Sequence, residues 1–160
     1  MSPEHAETAS PLTPCSPKEV EDFLVQASAL AQKSGQRLTP IRRKVLALLV
    51  SAGGPAKAYD LMRQLDGEGA AKPPTVYRAL DFLQALGLVH KIESLNAYVA
   101  CGHMHHRHSA VFLICDACGS AEELHAERTS QALENDTKSV AFALERAVIE
   151  ARGTCRNCAT

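Results

Sequence analysis

The first half of the chain is organised as helical apolar stripes separated by glycine and proline. Four stretches place apolar residues three or four positions apart, which predicts four amphipathic helices. Thr39-Pro40 is typical of a helix start, and Gly87 is typical of a helix end. The predicted helices cover Lys18 to Ser34, Pro40 to the Gly53-Gly54 pair, Ala58 to Leu65, and Pro73 to Leu86.

After Gly87 the pattern changes from helical to strand-like. Leu88 to Ile92 and Ala97 to Cys101 alternate well enough to predict a β-hairpin. Helices followed by a hairpin, with a charged outer face on the last helix, describe a winged helix-turn-helix. The remaining predicted elements are strands at Ala110 to Ile114 and Ala121 to Leu124, a helix at Arg128 to Thr137, and one or two strands within Ser139 to Ile149. These few strands form an α+β module whose sheet a second copy of the chain would complete.

Composition and charge narrow the function classes. The chain has 160 residues and is 46% hydrophobic, which suits one domain or two small ones. Residues 17–92 carry 11 Lys/Arg and 7 Asp/Glu, a charge of +4, and the rest carry −5, which favours a nucleic-acid module joined to an acidic one. The absence of Trp argues against single-strand base stacking. No apolar run reaches about 18 residues and no secretory signal is visible, so we expect a cytoplasmic protein without a membrane span.

Two matched cysteine pairs are the strongest chemical signal. Cys115 and Cys118 form one pair, Cys155 and Cys158 form the other, and 36 residues separate them. Each two-residue spacer lets a tight turn present two thiolates to one ion, so the four residues predict a tetrahedral structural zinc site. The alternative is a pair of redox dithiols or disulfides. Six cysteines without an export signal favour metal ligands.

Four segments carry a resemblance to a known family. They are Arg37 to Arg42, Lys72 to Leu80, Phe112 to Gly119, and Gly153 to Cys158. From about Val20 to Cys158 the chain resembles the ferric uptake regulator (Fur) superfamily, and most closely its zinc uptake regulator (Zur) branch. The resemblance implies an α+β fold with an N-terminal winged helix-turn-helix DNA-binding domain and a C-terminal α/β dimerisation domain. The expected limits are a disordered tail at 1–16, the DNA-binding domain at 17–100, a hinge at 101–108 and the dimerisation domain with structural zinc at 109–160.

The function implied by this resemblance is zinc-responsive transcriptional repression. A zinc-loaded homodimer would bind an AT-rich palindromic operator in double-stranded DNA and repress zinc uptake genes, and two dimers could share one operator. An iron- or peroxide-sensing regulator of the same superfamily is the alternative. A zinc hydrolase or thiol oxidoreductase is a remote one, because no Ser-His-Asp set or phosphate loop is visible and a catalytic zinc needs an open position. We therefore expect no enzyme and no catalytic residues.

The predicted DNA contacts centre on the fourth helix. Its N-terminal turns carry Thr75, Tyr77 and Arg78, and an arginine there can bind guanine O6 and N7. By resemblance, Arg78 reads bases, Tyr77 contacts backbone or a thymine methyl, and Tyr59 adds a base or phosphate contact. The alternatives are a solvated Arg78 and a half-buried, packing Tyr77.

Five further charged residues have candidate roles at the DNA. Arg37, Arg42 and Arg43 would bind phosphates and position the domain. Arg63 and Asp66 form either an intrahelical ion pair or, by resemblance, a candidate contact between neighbouring dimers.

A sensor also needs a second, weaker metal site. The resemblance places a regulatory zinc on His90, Cys101, His108 and Glu123, which gives two zinc ions per chain and would tie the two modules together. A thiolate ligand selects zinc over iron or manganese. The alternative for Cys101 is a buried small apolar residue. The remaining candidates, for a third metal site or a solvated histidine linker, are His103, His105, His106, Glu122 and His125.

Overall fold

A computed structural model describes residues 15–65, 72–102 and 109–159. These residues form two compact units, a first unit of residues 15–102 and a second unit of residues 109–159. The helices are α1 (Pro17–Lys33), α2 (Pro40–Ala52), α3 (Ala58–Leu65), α4 (Pro73–Ala85) and α5 (Glu127–Ser139). The strands are β1 (Val89–Ile92), β2 (Ala97–Ala100), β3 (Ala110–Cys115), β4 (Ala121–Leu124) and β5 (Val148–Gly153).

The helix starts follow from local capping. Ser16 and Glu19 form a capping box at α1: the Ser16 N–H donates to the Glu19 carboxylate at 2.7 Å, and the Glu19 N–H donates to Ser16 Oγ at 3.4 Å. Hydrogen bonds from Ser16 lower the pKa of Glu19. At α2, Thr39 is the N-cap and Pro40 the first helical residue as predicted, although the Thr39 hydroxyl makes no capping hydrogen bond.

The core of the first unit draws on all four helices and the hairpin. The predicted stripe of α4 is buried at Val76, Leu80 and Leu83, while Leu86 is only half-buried because the helix has already ended at Ala85. Ala79 completes the buried face. The largest fully buried side chains of this unit are Leu46, Leu49, Leu61, Leu80, Leu83, Leu88 and Ile92.

The hairpin of the first unit is anchored to the helices through its second strand. β1 and β2 pair antiparallel, with His90 opposite Val99. Asn96 takes a left-handed conformation (φ 46°) at the turn, which suits asparagine. Ala56, in the α2–α3 connection, and Tyr98 exchange two backbone hydrogen bonds of 2.8 Å, so the hairpin is fixed on the helices.

The second unit is a three-stranded sheet in the order β4-β3-β5 with one helix. β3 is central: it pairs antiparallel with β4 and parallel with β5. The apolar run of β3 fills this central position, as expected for a strand with neighbours on both sides. The parallel register places Cys115 opposite Gly153.

The position predicted for the last strands of the second unit, within Ser139 to Ile149, is wrong. No strand lies within residues 140–147, and the last strand is β5, at Val148–Gly153. α5 continues to Ser139, and Phe142 N–H then bonds the carbonyl of Thr137 at 2.9 Å, so the chain leaves the helix in a turn rather than a strand. Ala141 has a positive φ of 56°, which no strand accepts.

Parts of the predicted domain limits lie outside the described residues, namely 1–14 of the tail and 103–108 of the hinge. Within the described ranges, no helix is both long enough and apolar enough to span a membrane.

Candidate metal centres and nucleic-acid interface

The four paired cysteines come together in the second unit. Cys115 ends β3 and Cys118 follows it in a turn, while Cys155 and Cys158 follow β5. Because β3 and β5 run parallel, both pairs lie at the same end of the sheet. The four sulfur atoms all lie within 4.8 Å of one another.

The spacing of these sulfurs fits zinc. A Zn–S length of about 2.3 Å in a tetrahedron requires sulfurs about 3.8 Å apart. The Sγ atoms of Cys118 and Cys155 are 3.8 Å apart. None of the six cysteines, all within the described ranges, forms a disulfide. The arrangement can hold a tetrahedral ion without rearrangement, and zinc ligation by these residues stays a prediction.

The surroundings give the cysteines of this cluster different proton affinities. The backbone N–H of Cys155 donates to Cys115 Sγ at 3.3 Å, and this bond, with that from Cys118, lowers the pKa of Cys115 to about 6. The hydroxyl and backbone of Ser120 lower the pKa of Cys118. Side-chain hydrogen bonds with Cys155 and Cys118 raise the pKa of Cys158 to about 12. At neutral pH the metal-free cluster therefore already offers a thiolate at Cys115.

In the first unit, the hairpin brings His90 and Cys101 together. His90 lies in β1 opposite Val99, and Cys101 is two residues further on, so the two side chains share one face. The Cys101 N–H donates to the carbonyl of Leu88 at 2.9 Å, which extends the pairing past β2. Both residues are buried, and a ring nitrogen of His90 and Cys101 Sγ lie within 4.8 Å.

The other two predicted ligands of the regulatory zinc are Glu123 and His108. Glu123 lies in β4 of the second unit, where it is buried and sits opposite Phe112. His108 lies outside the described residues. The four-residue ligand set stays a prediction.

The candidates for a third metal site are mostly outside the described ranges, which exclude His103, His105 and His106. Glu122 and Glu123 are neighbours in β4 and therefore point to opposite faces of the sheet. Glu122 is half-buried and His125, just beyond the strand, is exposed. Glu122 therefore does not share a face with the predicted regulatory ligand.

The outer face of α4 presents the residues predicted to read DNA. Thr75, Tyr77 and Arg78 are exposed, whereas Val76 and Ala79 between them are buried. Tyr59, at the start of α3, is 66% exposed, and such a large exposed ring is available to a partner. Tyr77 is 45% exposed, which disfavours the packing alternative. Arg63 is also exposed on α3, while Asp66 lies outside the described residues.

Two of the three arginines predicted to bind phosphate have partners within the first unit. The guanidinium of Arg42 lies over the ring of Phe82, 3.4 Å from its centroid, and its Nη1 donates to the Arg37 carbonyl at 2.8 Å. Arg43 pairs with Glu21 on α1 at 2.6 Å. Arg37 keeps an exposed side chain. Phosphate binding by the three stays a prediction, with Arg37 the best placed.

Sequence reasoning missed Glu21 as a partner of Arg43 and the pairing of Arg42 with Phe82. The partners lie 22 and about 40 positions apart, so no local spacing connects them. It also missed an ion pair between Asp116 and Arg152 beside the cysteine cluster. The sequence signal for this ion pair was an Asp inside one cysteine pair together with an Arg three positions before the other.

A comparison with models of protein families assigns the chain to a family. The model of the ferric uptake regulator family matches residues 33–152. The chain belongs to the ferric uptake regulator family. The matched span covers the candidate DNA-reading helix and the first cysteine pair, but it ends before Cys155 and Cys158, so the second pair rests on the sulfur geometry.

Individual relatives within the ferric uptake regulator family are similar along most of their length. The zinc uptake regulation protein of Escherichia coli (strain K12) is 43% identical over 141 residues, which are 86% of this chain and 82% of that protein. A solved structure of a zinc uptake regulator complexed with zinc and DNA is 42% identical with a TM-score of 0.79, covering 87% of this chain and 94% of that one. The structure of holo XcZur is 46% identical with a TM-score of 0.76, covering 86% and 97%.

Proposed function

We propose that this chain is a zinc-responsive transcriptional repressor that binds palindromic operators as a homodimer when loaded with zinc and represses zinc uptake genes. The observation that carries this proposal is the similarity, over most of both chains, to a zinc uptake regulation protein and to a zinc uptake regulator complexed with zinc and DNA. The chain acts in the cytoplasm, where the DNA is, and has no catalytic role.

The four-cysteine cluster holds a structural zinc. Four sulfurs within 4.8 Å of one another support this role. A closed set of four thiolates leaves no open position for a substrate, which is the arrangement of structural sites. Because such sites bind zinc tightly and contribute directly to folding, this one stays filled and does not report zinc availability.

A second zinc, held by His90, Cys101, His108 and Glu123, acts as the sensor. The closeness of His90 and Cys101 in the hairpin supports the proposal. A buried cysteine sulfur beside an imidazole is a donor set that prefers zinc to iron. A ligand set drawn from hairpin, connection and sheet would make the geometry of the DNA-reading helices depend on zinc, which is the coupling that a repressor needs.

DNA recognition uses the exposed face of α4. Arg78 and Tyr77 enter the major groove, Tyr59 adds a base or phosphate contact, and Arg37 binds phosphate. An isologous dimer presents two such helices to the two halves of an AT-rich palindrome. Two dimers on one operator would require contacts at or near the exposed Arg63.

One experiment tests the sensing role. Zinc content per chain and affinity for a palindromic duplex, selected from a random library with zinc-loaded protein, are measured for the wild type, Cys101→Ser and the control Cys15→Ser. We expect two zinc ions and tight binding for the wild type and the control, against one zinc ion and lost binding for Cys101→Ser. Equal operator affinity with and without zinc would remove the sensing claim.

A metal titration distinguishes the zinc sensor from an iron or peroxide sensor. Protein that retains only its four-cysteine metal is titrated with zinc and, without oxygen, with ferrous ion, and operator binding is recorded. Restoration of binding by zinc at much lower free concentration supports the proposal, while restoration by ferrous ion alone contradicts it.

A further inference from the structure

An ion pair lies beside the four-cysteine cluster. Arg152, the penultimate residue of β5, donates from Nε to Oδ1 of Asp116 at 2.8 Å, and its Nη2 reaches the same oxygen. The backbone reinforces this contact, because the Asp116 N–H donates to the carbonyl of Gly153 at 2.8 Å. The two residues are thus joined by side chain and main chain at once.

The position of the pair relative to the cysteines gives it a consequence for the metal site. Asp116 lies between Cys115 and Cys118, and Arg152 lies three positions before Cys155. Cys155 is itself bonded to the first cysteine pair through its N–H and Cys115 Sγ, at 3.3 Å. The ion pair therefore links the two cysteine-bearing turns at the point where their chains leave the sheet.

We propose that Asp116 and Arg152 are positioning residues that hold the two cysteine pairs at ligation distance and so slow the release of zinc. The proposal rests on the four-cysteine zinc site proposed above. An exposed ion pair adds little to global stability by itself. Residues that orient metal ligands nonetheless change metal affinity by about 10- to 100-fold when mutated, because they determine how readily the ligands separate.

Zinc release tests this proposal directly. The background is Cys101→Ser, so that the released zinc comes from the four-cysteine site. Excess EDTA is added and zinc release is followed in Asp116→Asn, Arg152→Ala, the double variant and the exchange Asp116→Arg with Arg152→Asp. We expect about tenfold faster release for each single variant, no further acceleration in the double variant, and recovery of at least half of the logarithmic loss in the exchange.

Two further measurements separate positioning from loss of charge or fold. Arg156→Ala is the matched control: Arg156 is an exposed arginine inside the second cysteine pair and makes no ion pair with the described residues. Its release rate should equal that of the background. In cobalt-loaded Asp116→Asn, the tetrahedral d–d absorption should keep its position, which shows that four sulfurs still bind.

The outcomes distinguish the proposal from the site on which it rests. Zinc release at the background rate in Asp116→Asn and Arg152→Ala overturns the positioning role and leaves the four-cysteine site intact. Release from Arg156→Ala that is as fast as from those two variants has the same consequence. A background protein that holds no zinc, or one whose zinc survives Cys155→Ser, overturns the site itself.

Discussion

The apolar stripes of four helices and a hairpin pack against one another in residues 15–102, whereas no residue of α5, the helix of residues 109–159, is fully buried. Apart from Ser109, which directly precedes β3, the buried residues of the second unit lie on β3 and β4, and the cysteines cluster at one end of these strands. β5 contributes no fully buried residue. In the first unit apolar burial suffices to order the chain, and in the second it does not.

The second unit also exposes apolar side chains that a folded monomer would normally cover. Phe142 is 59% exposed and Val140 is 73% exposed, and Leu113 on the central strand is exposed as well. The homodimer proposed above would cover such a surface. The two units therefore differ in what stabilises them. The first unit is stabilised by its own apolar core, and the second by a metal ion together with a second chain.

Removing the structural metal should produce the largest difference in stability between the two units. We expect Cys155→Ser, or prolonged chelation, to unfold residues 109–159 while residues 15–102 stay folded, because structural zinc contributes on the order of 10 kcal/mol to small domains. Hydrogen exchange read by mass spectrometry checks this peptide by peptide: protection of β3 and β5 should vanish and that of α2 and α4 should persist.

Cys15→Ser is the control for this prediction, since Cys15 is a cysteine of the first unit and should leave exchange in both units unchanged. Persistent protection of β3 in Cys155→Ser would mean that the second unit has a sufficient core of its own.

A cavity in the core of the first unit should destabilise that unit and leave the second unit folded. Leu46 is fully buried in α2, and Leu46→Ala should cost about 2–5 kcal/mol of unfolding free energy, lost from the transition of the first unit alone. Zinc content at the four cysteines should not change. Denaturant unfolding, followed separately for each unit by exchange, measures both quantities.

Val25→Ala is the matched control for this cavity, because Val25 lies on α1 with 58% exposure and its truncation should cost less than about 0.5 kcal/mol. Loss of zinc from the four-cysteine site in Leu46→Ala would contradict the independence of the two units.

The same contrast explains how far the sequence predicts the structure. In the first unit, helix ends follow from local signals such as Ser16, Pro40 and Gly53, and the predicted limits of α3 agree with the structure. Apolar periodicity is informative there because each helix buries its own stripe. The hairpin was predictable for the same reason, since its strands alternate over a short connection.

In the second unit the local signals are weaker. One or two strands were predicted within residues 139–149, but β5 begins only at Val148 because its limits are set by parallel pairing with β3, more than 30 positions away. The cysteine cluster was predictable from spacing, since metal ligation imposes that spacing. The Asp116–Arg152 pair was not, because its partners meet only once β5 has found its register.

The next smaller effect concerns how the first unit holds its DNA-reading helix. Arg42 stacks on Phe82 of α4, a contact worth about 0.5–2 kcal/mol. We expect Arg42→Ala to weaken operator binding by threefold to tenfold with little change in the salt dependence. Arg37→Ala should instead reduce the slope of log affinity against log salt by about 2 per dimer, one phosphate from each protomer. Fluorescence anisotropy at several salt concentrations measures both.

Phe82→Leu provides the control for the stacking contact. Added to Arg42→Ala, it should cause little further loss, because the two side chains act as one unit. A slope change in Arg42→Ala as large as that in Arg37→Ala would show that Arg42 leaves the ring and binds phosphate in the complex.

The smallest effect is a count of protons at the metal site of the second unit. Zinc displaces protons only from thiols that still carry them. At pH 7.5 Cys115, with a pKa of about 6, is already a thiolate, while Cys158, with a pKa of about 12, is protonated. Calorimetry in buffers of different ionisation enthalpy, in the Cys101→Ser background with all four cysteines of the cluster intact, should therefore show up to about one more proton released on zinc binding at pH 5.5 than at pH 7.5.

Cys15→Ser is the control for this count, because Cys15 lies in the first unit and is not a predicted zinc ligand. At pH 5.5, below the pKa of Cys115, most Cys115 side chains carry a proton that zinc must displace, and Cys15→Ser should show the same rise in proton release as its background. Equal proton release at pH 5.5 and pH 7.5 would mean that the hydrogen bond from the Cys155 N–H does not hold Cys115 as a thiolate at pH 7.5. The ion would then have to displace the proton of Cys115 itself, and the fold of the metal-free second unit would not prepare this ligand for zinc.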